Sequence, residues 1–235
     1  MSTIAENLAT VRRNIIAAAE SSGRDPADIT LVAVSKTHPR EIAEEALAAG
    51  QAVFGENRIQ EAADKFSTPL PGAELHMIGH LQSNKTKVAA GLFDRIHSID
   101  SLKTATRLDR HLEEARRTMA ALVQINLGGE MQKSGIDAAD VLDFLRELAE
   151  LKHLKTDGLM ILPPFFDDPE QTRPYFQQLR GLRDELTKKD LSGIKLKHLS
   201  MGMTNDYAVA IEEGATIVRV GTAIFGQRKP YPPQG

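Results

Sequence analysis

Eight short apolar runs rich in β-branched residues recur along this chain, and they constrain its fold more tightly than any other feature. They are Leu31 to Ser35, Ala52 to Gly55, Glu74 to Ile78, Arg95 to Ile99, Ala120 to Leu127, Thr156 to Ile161, Lys197 to Met201 and Thr216 to Val220. Their starts lie roughly 20 to 40 residues apart, room for a return helix and far more than a hairpin needs. Apolar runs of this kind read as strands covered on both faces, the condition of a parallel sheet. Eight βα units predict an α/β fold, a closed (β/α)8 barrel, preceded by an amphipathic helix with Ile4, Leu8, Val11, Ile15 and Ile16 on one face. The 235 residues suit one barrel domain over 1–235. The competing architecture is an open doubly wound sheet, but no G-x-G-x-x-G follows the first strand, so a dinucleotide site has little support.

Charge and composition exclude several classes of function. With 29 basic and 32 acidic residues and a net charge of -3, the chain offers no field for nucleic acid or an anionic membrane. It has no cysteine, so disulfides, thiolate catalysis and sulfur-ligated metals are ruled out. No stretch approaches the roughly 18 apolar residues of a membrane span, and the N-terminus lacks a long apolar core of the signal-peptide type. A soluble cytoplasmic protein is expected. The Pro-containing pieces Pro69 to Gly72, Pro163 to Pro169 and Pro230 to Pro233 read as a loop, a rim loop and a tail.

In a parallel barrel, ligands bind at the carboxyl ends of the strands. Lys36 stands where the first strand runs out, followed by Thr37, His38 and Pro39 and then a helical stretch from Arg40 to Ala49. An amine in that low-dielectric rim loses part of its preference for the charged form and becomes a nucleophile for carbonyls. The same position also suits a lysine whose stem packs on the barrel while its head reaches water. Phosphates in this fold often bind between the loops after strands seven and eight. There Ser200 and Thr204 offer hydroxyls, while Gly202 and Gly221 let backbone amides approach; Thr204 or Asn205 suits the N-cap of a helix from Tyr207 to Glu213. The glycines read equally as turn residues. Arg219 ends the eighth strand as Lys36 ends the first, and these strands are neighbours in a closed barrel.

The motifs LVAVSKT (Leu31 to Thr37), FGENR-x-QE (Phe54 to Glu61), H-x-IGHLQSNK (His76 to Lys85), KSGI (Lys133 to Ile136), SMGMTND (Ser200 to Asp206) and VRVGTAIFG (Val218 to Gly226) closely resemble the pyridoxal phosphate homeostasis protein family. The resemblance runs in order from about Leu31 to Arg228. It implies a barrel similar to the N-terminal domain of alanine racemase, holding pyridoxal 5'-phosphate (PLP) as a Schiff base on Lys36. By motif position it implies Ser200, Thr204, Gly221 and Thr222 around the phosphate, Arg219 facing the pyridine nitrogen, and Asn57 beside the cofactor. The implied function is a non-catalytic carrier or buffer of PLP in vitamin B6 homeostasis, monomeric, with PLP-dependent apo-enzymes as recipients.

The chemistry of these residue types agrees. Arginine stays protonated far above neutral pH, so beside the pyridine nitrogen it disfavours a protonated ring and weakens the electron sink. Racemisation also needs an acid or base on the opposite cofactor face, and none of Tyr175, Tyr207 and Tyr231 stands in an arguable position for it. With Gly235 soon after the eighth strand, no racemase-like second domain is expected. The alternatives are a PLP-dependent amino-acid racemase and a Schiff-base lyase of phosphosugars. His76 and His80 share a face as a metal pair would, but no third ligand is evident and no metal is expected. Lys133, in a loop after the fifth strand, reads as either a second amine for cofactor exchange or an ordinary exposed lysine. Position 58, often aromatic in the family, is Arg58 here, a departure that leaves the local contact beside the cofactor open without touching Lys36.

Overall fold

The structure, a computed structural model, describes residues 2–127, 134–191 and 193–227. The barrel strands are, in order, Thr30–Val34, Val53–Glu56, Glu74–Met77, Arg95–Ile99, Met119–Asn126, Leu154–Met160, His198–Ser200 and Ile217–Val220. Each pairs in parallel with the next. The fourth and fifth strands pair, and so do the first and the eighth, so the ring closes with eight strands. One further two-residue strand, Ile136–Asp137, adds to the fifth strand outside the ring. Lys133 and Tyr231 lie outside the described residues.

Strand periodicity divides the side chains between two cores. Within the first strand, Ala33 points outward to the helices, while Val32 points inward and meets Leu122, Met160 and Ile217 in a small interior cluster. The outer core between sheet and helices is far larger, with Phe54, Phe93 and Phe176 among its fully buried side chains. Inward positions fall at every second residue, so Val32 and Val34 form one row and Ile217 and Arg219 another. Lys36 follows in the turn beyond the first strand, and it and Arg219 both line the cavity at the barrel mouth.

The opening helix, Ile4–Ser21, buries Leu8, Val11, Ile15, Ala18 and Ala19. Ile16, expected on that face, is exposed, because it sits one residue round the helix from Ile15. Asn7 Nδ2 donates to the Ile224 carbonyl at 2.9 Å and Asn14 Nδ2 to Tyr207 Oη at 3.1 Å, tying this helix to the elements that follow the seventh and eighth strands. Its N-terminus carries a reciprocal cap between Thr3 and Glu6. Thr3→Ala is expected to cost about 1 kcal/mol, read as a lower denaturant midpoint at unchanged slope. No helix among the described residues is long and apolar enough to cross a membrane.

Candidate functional site

A cavity of about 490 Å³ opens at the carboxyl ends of the strands. Val34 and Lys36 enter it from the first strand, Asn57 from the end of the second, Met203 and Thr204 from the loop after the seventh, and Arg219, Gly221 and Thr222 from the eighth. Leu162, Phe165 and Phe166, in the loop after the sixth strand, form an apolar wall. Six of the residues expected at the site, Lys36, Asn57, Thr204, Arg219, Gly221 and Thr222, therefore share one cavity.

Ser200 and Gly202 do not line it. Ser200 is fully buried one layer below the mouth, where its Oγ accepts from Arg219 Nη1 at 2.5 Å and lies 2.9 Å from His97 Nδ1. Its hydroxyl supports the arginine from behind, where the sequence had suggested a direct anion contact. Gly202 has φ +90, and a Cβ there would lie 2.6 Å from Ala210 Cβ and 2.9 Å from Tyr207 Cα. It is a turn glycine that lets the loop meet the helix Tyr207–Glu212. The N-cap of that helix is Asp206, not Thr204 or Asn205. Asp206 Oδ1 accepts from the Met203 N–H at 2.6 Å, and Asn205 Nδ2 donates to the Phe166 carbonyl at 3.0 Å. Thr204 thus faces the cavity, its Oγ1 accepting from the Gly221 N–H at 3.4 Å.

Arg219 is almost wholly buried, and its Nη2 also donates to the Ile161 carbonyl at 2.9 Å. Burial pulls its pKa down to about 10, with Asp206 acting in the opposite sense, so the guanidinium remains charged at neutral pH. Burial raises the Asp206 carboxyl above the usual range, against the Met203 N–H and Arg219. Asn57 Oδ1 is buried with no hydrogen-bond partner among the described residues. Such an acceptor is costly to leave dry and fits a ligand that brings a donor. Gly79 packs behind it, since a Cβ there would lie 2.2 Å from the Asn57 carbonyl oxygen.

The backbone around Lys36 is clamped. Thr37, just after it, adopts φ 66, a costly conformation for a β-branched residue. Its N–H donates to the Glu61 carboxylate. Lys65 Nζ donates to the Ser35 carbonyl and to Glu56 Oε1, both at 2.7 Å, and lies 3.7 Å from Glu61. Ser35 Oγ donates to the same Glu56 oxygen at 2.6 Å. Burial raises the Glu56 carboxyl above its usual range, while Lys65 and Ser35 pull it down. Glu56 and Glu61 lie within the motif Phe54 to Glu61, but sequence alone gave no reason to couple them to the residues flanking Lys36. Arg58 is exposed and does not line the cavity.

His76 and His80 do not share a site. His76 is buried inside the barrel and bonds to Glu74 and His97, whereas His80 sits at the rim, 3.5 Å from Asp100. Among the described residues, no group of three potential ligands could hold a metal.

Comparison with known proteins gives a consistent likeness. Residues 7–229 match the family profile "Alanine racemase, N-terminal domain". The pyridoxal phosphate homeostasis protein of Aquifex aeolicus is 41% identical over 225 residues, 95% of this chain and 98% of that protein. The Escherichia coli protein of the same name is 43% identical over 237 residues, 97% and 98% of the two chains. The solved structure of PipY from Synechococcus elongatus with PLP bound superposes with a TM-score of 0.84 at 40% identity, covering 95% of this chain and all of that one. An alanine racemase from Clostridium difficile shares the fold, with a TM-score of 0.72 at 17% identity over 97% of this chain and 57% of that one.

Proposed function

This chain belongs to the pyridoxal phosphate homeostasis protein family, within the alanine racemase N-terminal domain family, and on that premise we propose that it binds PLP through a Schiff base on Lys36 and acts as a non-catalytic carrier. The observation that carries the reading is a single cavity in which Lys36, Asn57 and Arg219 converge. PLP, when bound, supplies an aldehyde for amine capture and a ring able to stabilise negative charge. Thr204, Gly221 and Thr222 would hold its phosphate, Lys36 Nζ its carbonyl carbon, and Arg219 its ring nitrogen. Asn57 would accept from a cofactor donor. PLP bound in a homologous structure 40% identical to this chain supports the reading.

The carrier role follows from where the protons stay. Arg219, charged at neutral pH, keeps its protons and leaves the ring nitrogen unprotonated, which limits carbanion stabilisation. Of the described tyrosines, neither lines the Lys36 cavity; Tyr175 faces a neighbouring one, and Tyr207 Oη accepts from Asn14. The protein would hold PLP as a monomeric barrel domain in the cytoplasm and release it to PLP-dependent apo-enzymes.

The test is to incubate the PLP-loaded protein with L-alanine in deuterated water. Neither α-deuterium nor the D-isomer is expected at turnover near the common enzyme range of about 1 to 1000 per second. Arg219→Glu, if it retains the cofactor, is expected to raise α-exchange by supplying a carboxylate at the ring nitrogen. Brisk racemisation by the unmodified protein overturns the carrier reading, and a colourless protein that cleaves phosphosugars replaces it with the lyase.

A further inference from the structure

Polar side chains run through the barrel interior from the cavity toward the opposite, N-terminal end. Arg219 Nη1 meets Ser200 Oγ, and Ser200 Oγ meets His97 Nδ1 at 2.9 Å. His97 Nε2 meets His76 Nδ1 at 3.0 Å, and His76 Nε2 meets Glu74 Oε1 at 2.7 Å. Ser200 and His97 are wholly buried and His76 nearly so, while the side chain of Glu74, first residue of the third strand, is half-exposed.

The order is set from both ends. A guanidinium has no acceptor, so Ser200 Oγ accepts from Arg219, and an ionised Glu74 carboxylate can only accept. A neutral His76 that donates from Nε2 to Glu74 offers its Nδ1 lone pair to His97. His97 then carries its proton on Nε2, and its bare Nδ1 accepts from the Ser200 hydroxyl. We infer that Glu74, His76, His97 and Ser200 are positioning residues, a one-directional hydrogen-bond chain that fixes both histidines as neutral Nε2–H tautomers and sets the guanidinium of Arg219 in the cavity.

The surroundings support the neutral state. His97 faces His76, Arg219, Arg95 and His198; burial, together with the fixed charges of Arg219 and Arg95, holds its pKa well below the ordinary histidine value. Arg95 is paired with Asp157 at 2.6 Å, and His198 lies 3.9 Å from the same carboxylate. The hydrogen bond from His76 lowers the Glu74 carboxyl, as expected of an ionised acceptor at the end of the chain. Arg219 spends two donors on Ser200 and Ile161, leaving its others for the cavity. The order of the chain stands without a cofactor; its use, aiming a fixed donor at the ring nitrogen, rests on the reading proposed above.

The test uses cofactor-free protein with 15N-labelled histidine. Long-range 1H–15N correlations should show His97 and His76 as single neutral Nε2–H tautomers at about pH 7. An Nδ1–H tautomer or an imidazolium at His97 overturns the chain. Glu74→Ala removes the last acceptor at a half-exposed site and should leave His76 a mixture of tautomers. Glu74→Gln keeps a carbonyl acceptor and should restore the single form. If Glu74→Ala changes neither histidine, the chain is not a coupled unit and the inference fails. With PLP bound, Ser200→Ala should move the pH midpoint of the visible absorbance by about 0.3 unit or more. An unmoved midpoint overturns the use of the chain on the cofactor, and failure of PLP to bind overturns the carrier reading while the histidine spectra still decide the chain.

Discussion

Lys36→Ala is expected to abolish covalent retention of the cofactor while leaving the barrel folded. Lys36 sits in the turn two residues beyond Val34, the last residue of the first strand, and lines the cavity that also holds Arg219. It is partly exposed, and removing a side chain there costs less than about 1 kcal/mol of stability. Borohydride reduction followed by peptide mapping should label Lys36 in the unmodified protein and no lysine in the variant. Label on another lysine, or a variant that stays covalently yellow, removes Lys36 from the role.

The second large effect is expected from Thr204→Ala combined with Thr222→Ala. Both hydroxyl residues line the cavity on the side of the seventh and eighth strands, where a phosphate would sit. A hydrogen bond to a charged group is worth roughly 1.5 to 3 kcal/mol, and the lower value suits Thr222, which is exposed. The pair should weaken cofactor affinity by roughly 150- to 2,000-fold, seen as rapid loss on dialysis. Ser200→Ala should lose cofactor far less readily than the double variant, because Ser200 does not line the cavity and instead meets Arg219. Equal retention by the double variant and the unmodified protein would move the anion site elsewhere.

The sequence was legible wherever local pattern and barrel geometry agreed. Eight runs became eight strands, and Lys36, placed by the sequence at the end of the first, lines the cavity at the barrel mouth. What escaped was depth and partnership. Ser200 belongs to the right loop region, but its layer lies below the mouth, which spacing along one strand cannot reveal. The chain of His76, His97, Ser200 and Arg219 draws its members from four strands, so no sequence window contains it. The same holds for Glu61 and Thr37, joined across neighbouring βα units. Thr204 looked like a helix cap until Asp206 was seen in that place.

Closure of the ring between the first and eighth strands has a consequence for how the protein is made. Lys36 is made long before Arg219, yet the cavity exists only once their strands pair. The cavity is therefore absent until the eighth strand is in place, and pairing that strand with the first closes a loop spanning almost the whole barrel. A ligand that recognises only the finished ring stabilises the closed form by mass action, about 2.7 kcal/mol at a hundred times its dissociation constant.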